Sequence, residues 1–330
     1  MTLVAACQVR PFPLPAARIR APGAARAWPL VLLLALLCAP SRAGAEPIAV
    51  LFPDIGEPYR KVFAEIIEGI EDQAKGGVRS YPVGPRPDGA ELQATLKRNG
   101  GKVVIALGRQ GLRAAAALDP GLAVVVGGVS SVPDDDKLCG ISLTPDPALL
   151  FFHLKALLPE VRRVIVVYNP GHNEALLKLA REAARSQGLE LEALEARDLA
   201  GAVRLYDGVF ARADGRRDAL WLPQDPTTVD ESTILPMVLK QSWERHLPIF
   251  SSSFLHVKKG ALFALYPNNL ELGRNLARLA NGMLGGEPAR RGVAPLREVR
   301  TALNLRTAGH LGLALGPGQQ RGFDFVFHEP

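Results

Sequence analysis

Six short segments carry the residues that could act on, or hold, another molecule. They are Pro53-Asp54-Ile55-Gly56, Gly108-Arg109-Gln110, Gly127-Gly128-Val129-Ser130, Asn169-Pro170-Gly171-His172-Asn173, Pro223-Gln224-Asp225-Pro226-Thr227 and Ser251-Ser252-Ser253. Each follows a short apolar run. Carboxylates, amides, hydroxyls and one guanidinium in such places suit hydrogen bonding to a small ligand. The same residue types cap helices and build turns. Singly, each residue reads first as a cap; as a set, they read as a ligand cleft.

The individual candidates are weighed the same way. Arg109 reads equally as a fork for a ligand carboxylate and as a solvated helix-start residue. Asp225 could receive a ligand amino group or cap the helix that follows. His172 has no second His or Cys at a metal-ligand spacing, so it reads as a turn residue rather than a metal ligand. No G-x-S-x-G elbow surrounds Ser251–Ser253, which favours hydroxyls that hydrogen-bond a ligand or a turn over a nucleophile. Tyr59 and Tyr266 could stack on a ligand or pack at the edge of a core. Lys258-Lys259 reads as a solvated pair. The chain has no G-x-x-x-x-G-K-[ST], H-E-x-x-H or C-x-x-C, and no strand-coupled G-x-G-x-x-G. The reading is therefore a binding protein rather than an enzyme, with no cofactor and no metal. The expected ligand-binding set is Asp54, Gly108, Arg109, Gln110, Ser130, Asn169, His172, Asn173, Gln224, Asp225, Thr227, Ser252 and Tyr266.

Such residues need strands to end where they stand. Apolar runs at Ile48–Phe52, Val103–Leu107, Leu122–Val126, Val164–Tyr168, Ala219–Leu222 and Ile249-Phe250 read as buried strands. Further strands are expected near Val78–Val83, Leu189–Leu194, Ala261–Tyr266 and Val299–Leu303. Helical spacing is expected over 57–74, 88–99, 110–118, 147–158, 173–187 and 269–284. Pro236 should kink or delay the helix before Ile249. Continuous apolar strands joined by amphipathic helices indicate parallel sheets covered on both faces. The series runs twice, so the expected fold is α/β with two Rossmann-like lobes. The first lobe is expected at 46–145, completed by 254–289, and the second at 146–253, completed by 290–330. In open α/β sheets, ligands bind beyond the carboxyl ends of the strands.

Residues 1–45 read differently. They hold Arg10, Arg18, Arg20, Arg26 and Arg42 and no acid, an apolar run from Trp28 to Ala39, and the small-x-small site Ala43-Gly44-Ala45. That is the pattern of a secretory signal peptide cleaved near Ala45. Its apolar run is short of the roughly 20 residues of a membrane span. Five of the 39 basic residues and none of the 33 acidic ones lie there, leaving 34 basic against 33 acidic. The net charge of +6 thus belongs mostly to the leader and does not point to nucleic acid. Cys7 and Cys38 leave with it; Cys139 then has no partner for an internal disulfide and reads as a buried apolar residue. The expected location is the periplasm.

Several segments, taken in order, resemble one family. They are Val103–Gly108 before an alanine-rich helix, Val164–Pro170 (VIVVYNP), Asp218–Thr228 (DALWLPQDPTT) and Pro248–Ser252. After these come Lys258-Lys259-Gly260-Ala261-Leu262 with Tyr266, Leu270-Glu271-Leu272-Gly273, and Gly285-Gly286-Glu287-Pro288. Over roughly 46–315 the chain is similar to the tryptophan/aromatic-type substrate-binding proteins of ABC transporters. The resemblance implies a type I periplasmic-binding-protein fold, with a small ligand held between two lobes joined by crossing strands. It also implies a permease partner and a monomer. The chain departs from the family at Arg109, where Thr is usual, and at Pro226, where Asn is usual. The turn at 54–59 lacks the usual small polar run. The expected ligand is an amino acid or a related small organic molecule, and the alternative is a sensing module that works with an envelope partner.

Overall fold

The computed structural model describes residues 46–57, 59–130, 138–288 and 291–328. The leader expected at 1–45, its cleavage point, Cys7 and Cys38 lie outside these residues. Among the described residues, no helix is long and apolar enough to cross a membrane.

The first half of the chain alternates strand and helix. It runs β1 (Ile48–Pro53), α1 (Tyr59–Gln73), β2 (Val78–Val83), α2 (Gly89–Arg98), β3 (Val103–Leu107), α3 (Gly108–Ala116), β4 (Ala123–Gly127) and β5 (Cys139–Pro145). The pattern then repeats from α4 (Pro147–Leu157), through β6 (Arg163–Tyr168), α5 (Pro170–Ser186), β7 (Glu190–Glu195), α6 (Leu199–Arg212) and β8 (Asp218–Leu222). It continues with α7 (Ile234–Arg245), β9 (Ile249–Ser251), α8 (Phe254–Lys259), β10 (Phe263–Pro267) and α9 (Asn269–Leu284). The end of the chain holds β11 (Gly292–Leu296), β12 (Val299–Asn304), α10 (Leu305–His310), α11 (Pro317–Gln320) and β13 (Phe325–Phe327).

These strands make two sheets. One has the order β11-β5-β4-β3-β1-β2 and the other β13-β12-β10-β9-β8-β6-β7. All pairings in the first sheet are parallel. In the second, only β10 and β12 run antiparallel. The fold is α/β, as the continuous apolar strands require: every residue of β3 and β8 is buried. Helices cover both faces of the sheets, and separate clusters of buried side chains form on each face.

The sheets correct the expected strand assignment at two places. Residues 263–267 were expected with the first lobe, but β10 pairs with β9 and β12 in the second sheet. Residues 292–296 were expected with the second lobe, but β11 pairs with β5 in the first sheet. The chain therefore passes between the two layers three times, near 145–147, 267–269 and 296–299. The crossings are tied to each other. Asp146 N donates to Leu296 O at 2.9 Å, Asn268 N donates to Glu298 O at 3.2 Å, and Arg297 Nη1 meets Asp146 Oδ2 at 2.5 Å.

Between crossings, α9 returns to pack on α1. Glycine permits that approach: a Cβ on Gly69 would stand 2.0 Å from Leu270 O, and one on Gly273 would stand 2.0 Å from Ile66 O. Leu272, Leu276, Ala277 and Ala280 of α9 then share a core with Phe63, Ile66 and Ile70 of α1. Helix α7 starts at Ile234, so Pro236 occupies its first turn, where a missing N–H costs nothing. Cys139 is buried, as expected.

Candidate ligand-binding site

A cleft of about 960 Å³ opens at the carboxyl ends of the strands. The first sheet supplies most of its wall, through the ends of β1, β3 and β4 and the first turns of α1 and α3. The second sheet contributes Gln224 beyond β8 together with Tyr266 and Pro267 of β10, and Asn269 opens α9 beside them.

The turn from β3 into α3 forms part of the wall. Gly108 takes φ +64°, which lets the strand pass into the helix without a linker. A Cβ there would press on Phe63 Cζ at 3.0 Å and Pro53 Cγ at 3.1 Å. Leu107, at the N-cap, offers no side-chain acceptor. The first N–H groups of α3 therefore keep their donor capacity and their share of positive dipole. Arg109 and Gln110 stand in that first turn and Arg113 follows one turn later, all three lining the cleft. Gln110 Oε1 is buried without a hydrogen-bond partner among the described residues.

On the second-sheet side, one carboxylate organises two turns. Asp225 is only 3% exposed. Its Oδ2 accepts from Asn169 N at 2.7 Å and from Asn173 Nδ2 at 2.9 Å. Its Oδ1 accepts from Thr227 N at 2.9 Å and from Thr228 N at 3.1 Å. Asn169 Nδ2 also donates to Thr227 Oγ1 at 3.1 Å. The loops after β6 and β8 are thereby locked together. Gln224 projects from this frame, and its Nε2 donates to Ser252 O at 3.1 Å. Ser252 Oγ is buried without a protein partner. Burial, and then the charge of Asp225, push the Tyr206 phenol far up.

The expected residues thus divide. Gly108, Arg109, Gln110, Ser130, Gln224 and Tyr266 line the cleft. Asn169, Asn173, Asp225 and Thr227 form the internal network behind its second-sheet side. His172 is exposed on the first turn of α5, and Asp54 lines an adjoining hollow of about 380 Å³ beside α1, which shares Pro53, Ile55 and Phe63 with the cleft. The expected set left out Phe63, Arg113, Leu143 and Asn269, which also line the cleft, and Tyr59, which was weighed only as a possible stacking residue. The signal for Arg113 was available, since it follows Arg109 by one helical turn on a helix that starts at a strand end.

A Ser–His hydrogen bond also lies in the second layer. Ser251 Oγ and His256 Nδ1 are 2.7 Å apart, and Ser251 is fully buried. Burial pushes the His256 imidazole down to about 4, so it stays neutral. A substrate would have no route to this serine, and the pair instead ties α8 to the end of β9.

Comparison with known proteins adds the following. Residues 151–316, about half of the chain, match the sequence model of a family described as ABC transporter substrate binding protein. No curated protein matches the chain. Among solved structures, the chain is similar to a ligand-free, open substrate binding protein with adhesive properties from Clostridium difficile. That likeness has TM-score 0.60 and 17% identity, over 86% of this chain and 99% of that one. It is also similar to a Streptococcus pneumonia ABC domain in complex with L-Trp, at TM-score 0.54 and 19% identity, over 85% of this chain and 100% of that one. A conserved domain protein from Vibrio cholerae gives TM-score 0.54 and 16% identity, over 85% and 99% of the two chains. At these identities the likeness is one of fold, and the fold is that of type I periplasmic binding proteins.

Proposed function

The chain belongs to the family of ABC transporter substrate-binding proteins, and on that premise we propose that it is an exported receptor for a small organic solute. The solute lies in the cleft between the two lobes, and its contacts with both favour a closed form. The closed form is what a membrane permease recognises. One observation carries the reading: a cleft of about 960 Å³ takes its lining from the strand ends of both sheets. That volume suits a ligand of metabolite size. The three tied crossings supply a hinge, and the leader at 1–45 supplies the route to the periplasm.

Arg109, Gln110 and Ser130 hold the solute from the first lobe, with Gln224 and Tyr266 meeting it from the second. Asp225, Asn169, Asn173 and Thr227 position Gln224 and keep the second-lobe turns rigid. The experiment is a solute panel screened by thermal shift on the purified protein, with small-angle scattering of each hit. A bound solute raises the unfolding temperature and contracts the molecule. Binding without contraction would remove hinge closure. Expression in a Gram-negative host, with N-terminal sequencing of the periplasmic fraction, tests export; a full-length chain retained in the cytoplasm would refute it.

A further inference from the structure

We infer that the solute is an amphipathic carboxylate without an ammonium group; this deepens the solute-receptor reading and rests on it. Among the described residues, the charge in the cleft is one-sided. Arg109 and Arg113 both line it, four residues apart on α3. Among the described residues, neither engages a carboxylate or makes a side-chain hydrogen bond. The uncapped start of α3 adds its partial positive charge at the same place. Two guanidiniums and a helix N-terminus together favour a carboxylate, which an arginine fork grips through both oxygens.

Among the described residues, nothing comparable awaits an ammonium. Among the described residues, no Asp or Glu lines the cleft. Asp225 is the acid best placed by the chain to receive one, yet four internal donors already engage its two oxygens. Drawing Asp225 to a ligand would strip the turns after β6 and β8 of their shared acceptor. Asp54 lines an adjoining hollow, which shares Pro53, Ile55 and Phe63 with the cleft, and is not among the cleft's lining residues. The remaining walls are apolar or neutral. Tyr59, Phe63 and Tyr266 offer ring surface to a hydrocarbon or aromatic body. Gln110, between the arginines, keeps a buried amide oxygen with no protein partner, as an amide does when its partner is the ligand. The amide serves a hydroxyl of the solute through that oxygen or, turned over, a carboxylate through its N–H.

The test is calorimetric titration of the purified protein with matched probes differing only at the amine or the acid. One set is 3-phenylpropanoate, phenylalanine and phenethylamine; another is hexanoate, 2-aminohexanoate and pentylamine. Each carboxylate should bind about 10- to 100-fold more tightly than its amino acid, since an unpartnered charged donor forfeits that much. The amines should not bind. The variant R109Q/R113Q should weaken carboxylate binding at least about tenfold and reduce its salt dependence, with the unfolding temperature of the free protein unchanged. The same order is expected from D134N/D135N/D136N, which removes the acids of the segment after Ser130. An amino acid that equals or exceeds its deaminated partner overturns the inference, whichever variant abolishes the effect. If a neutral or cationic solute binds and these carboxylates do not, the inference fails while the solute-receptor reading stands. If no solute of any charge binds, both fail.

Discussion

Removing the Asp225 carboxylate separates a residue that organises the cleft from one that touches the solute. In Asp225→Ala, four donors lose their acceptor: Asn169 N, Asn173 Nδ2, Thr227 N and Thr228 N. Water can reach the donors of half-exposed residues and replace part of the loss. Asn173 and Thr228 are buried, at 4% and 0% exposure, and their donors have no such recourse. Hydrogen bonds to a charged acceptor contribute about 1.5–3 kcal/mol each. The two buried donors alone therefore put the destabilisation at about 3–6 kcal/mol. For a chain of this size that lowers the unfolding temperature by roughly 10 °C. Asp225→Asn should behave similarly, because an amide can accept on one side only and would turn its own N–H groups toward two donors. The assay is thermal and urea unfolding followed by circular dichroism, alongside calorimetric titration of any solute found in the panel. Organisation predicts loss of stability in both variants, with binding weakened as a consequence. If Asp225→Asn unfolds like the parent protein and yet loses binding, the carboxylate works on the ligand directly, and the reasoning from its four internal donors is refuted.

Two other outcomes follow from the geometry. Burial holds His256 down to about 4 from 6.5, so across that window the unfolded chain binds a proton that the folded chain does not. Ser251 is its hydrogen-bond partner, Glu231 draws its charge up and Lys259 draws it down, with burial dominant. The corresponding stability is fully present above pH 6.5 and is lost as pH falls toward 4, by about 3 kcal/mol at most. His256→Gln should flatten urea-unfolding stability between those pH values, and an unchanged slope would move the dependence elsewhere. Gly69→Ala and Gly273→Ala each place a Cβ 2.0 Å from a backbone carbonyl oxygen of the facing helix, so each should cost about 3 kcal/mol or more in chemical denaturation. A cost below about 1 kcal/mol would show that α1 and α9 separate easily.

The local pattern of the chain reaches a long way. The span expected for α9, 269–284, matches the helix observed, and Pro236 delays α7 as its ring requires. Strand ends were legible because an apolar run stopped by glycine, proline or asparagine leaves little choice. Helix α6 went unread, although Ala202, Tyr206, Val209 and Phe210 follow a helical period. Strand β5 contains Gly140 and Pro145, and β11 contains Pro295; both residue types weaken a strand signal. Sheet membership of 263–267 and 292–296 is not legible locally because long-range pairing decides it: Phe263 lies against Phe250, and Gly292 against Cys139. At the cleft, the strand-end rule found the right segments. It could not divide Gln224 from Asp225, since which of two neighbours faces outward depends on distant donors, such as Asn173, 52 residues away.

The three passages of the chain between the layers also order the folding of the molecule in time. Neither layer is a continuous stretch of sequence. The first sheet lacks its last strand until residue 296 exists, and α1 has no facing helix until 269–284 arrive. The second layer likewise finishes only with β13, at residues 325–327. The first layer cannot close until most of the second has been made, so the chain remains unfinished until nearly all of it is available. Splitting the chain near 146 would leave the first sheet without β11 and α1 without its facing helix, while the seven strands of the second sheet stay on one fragment.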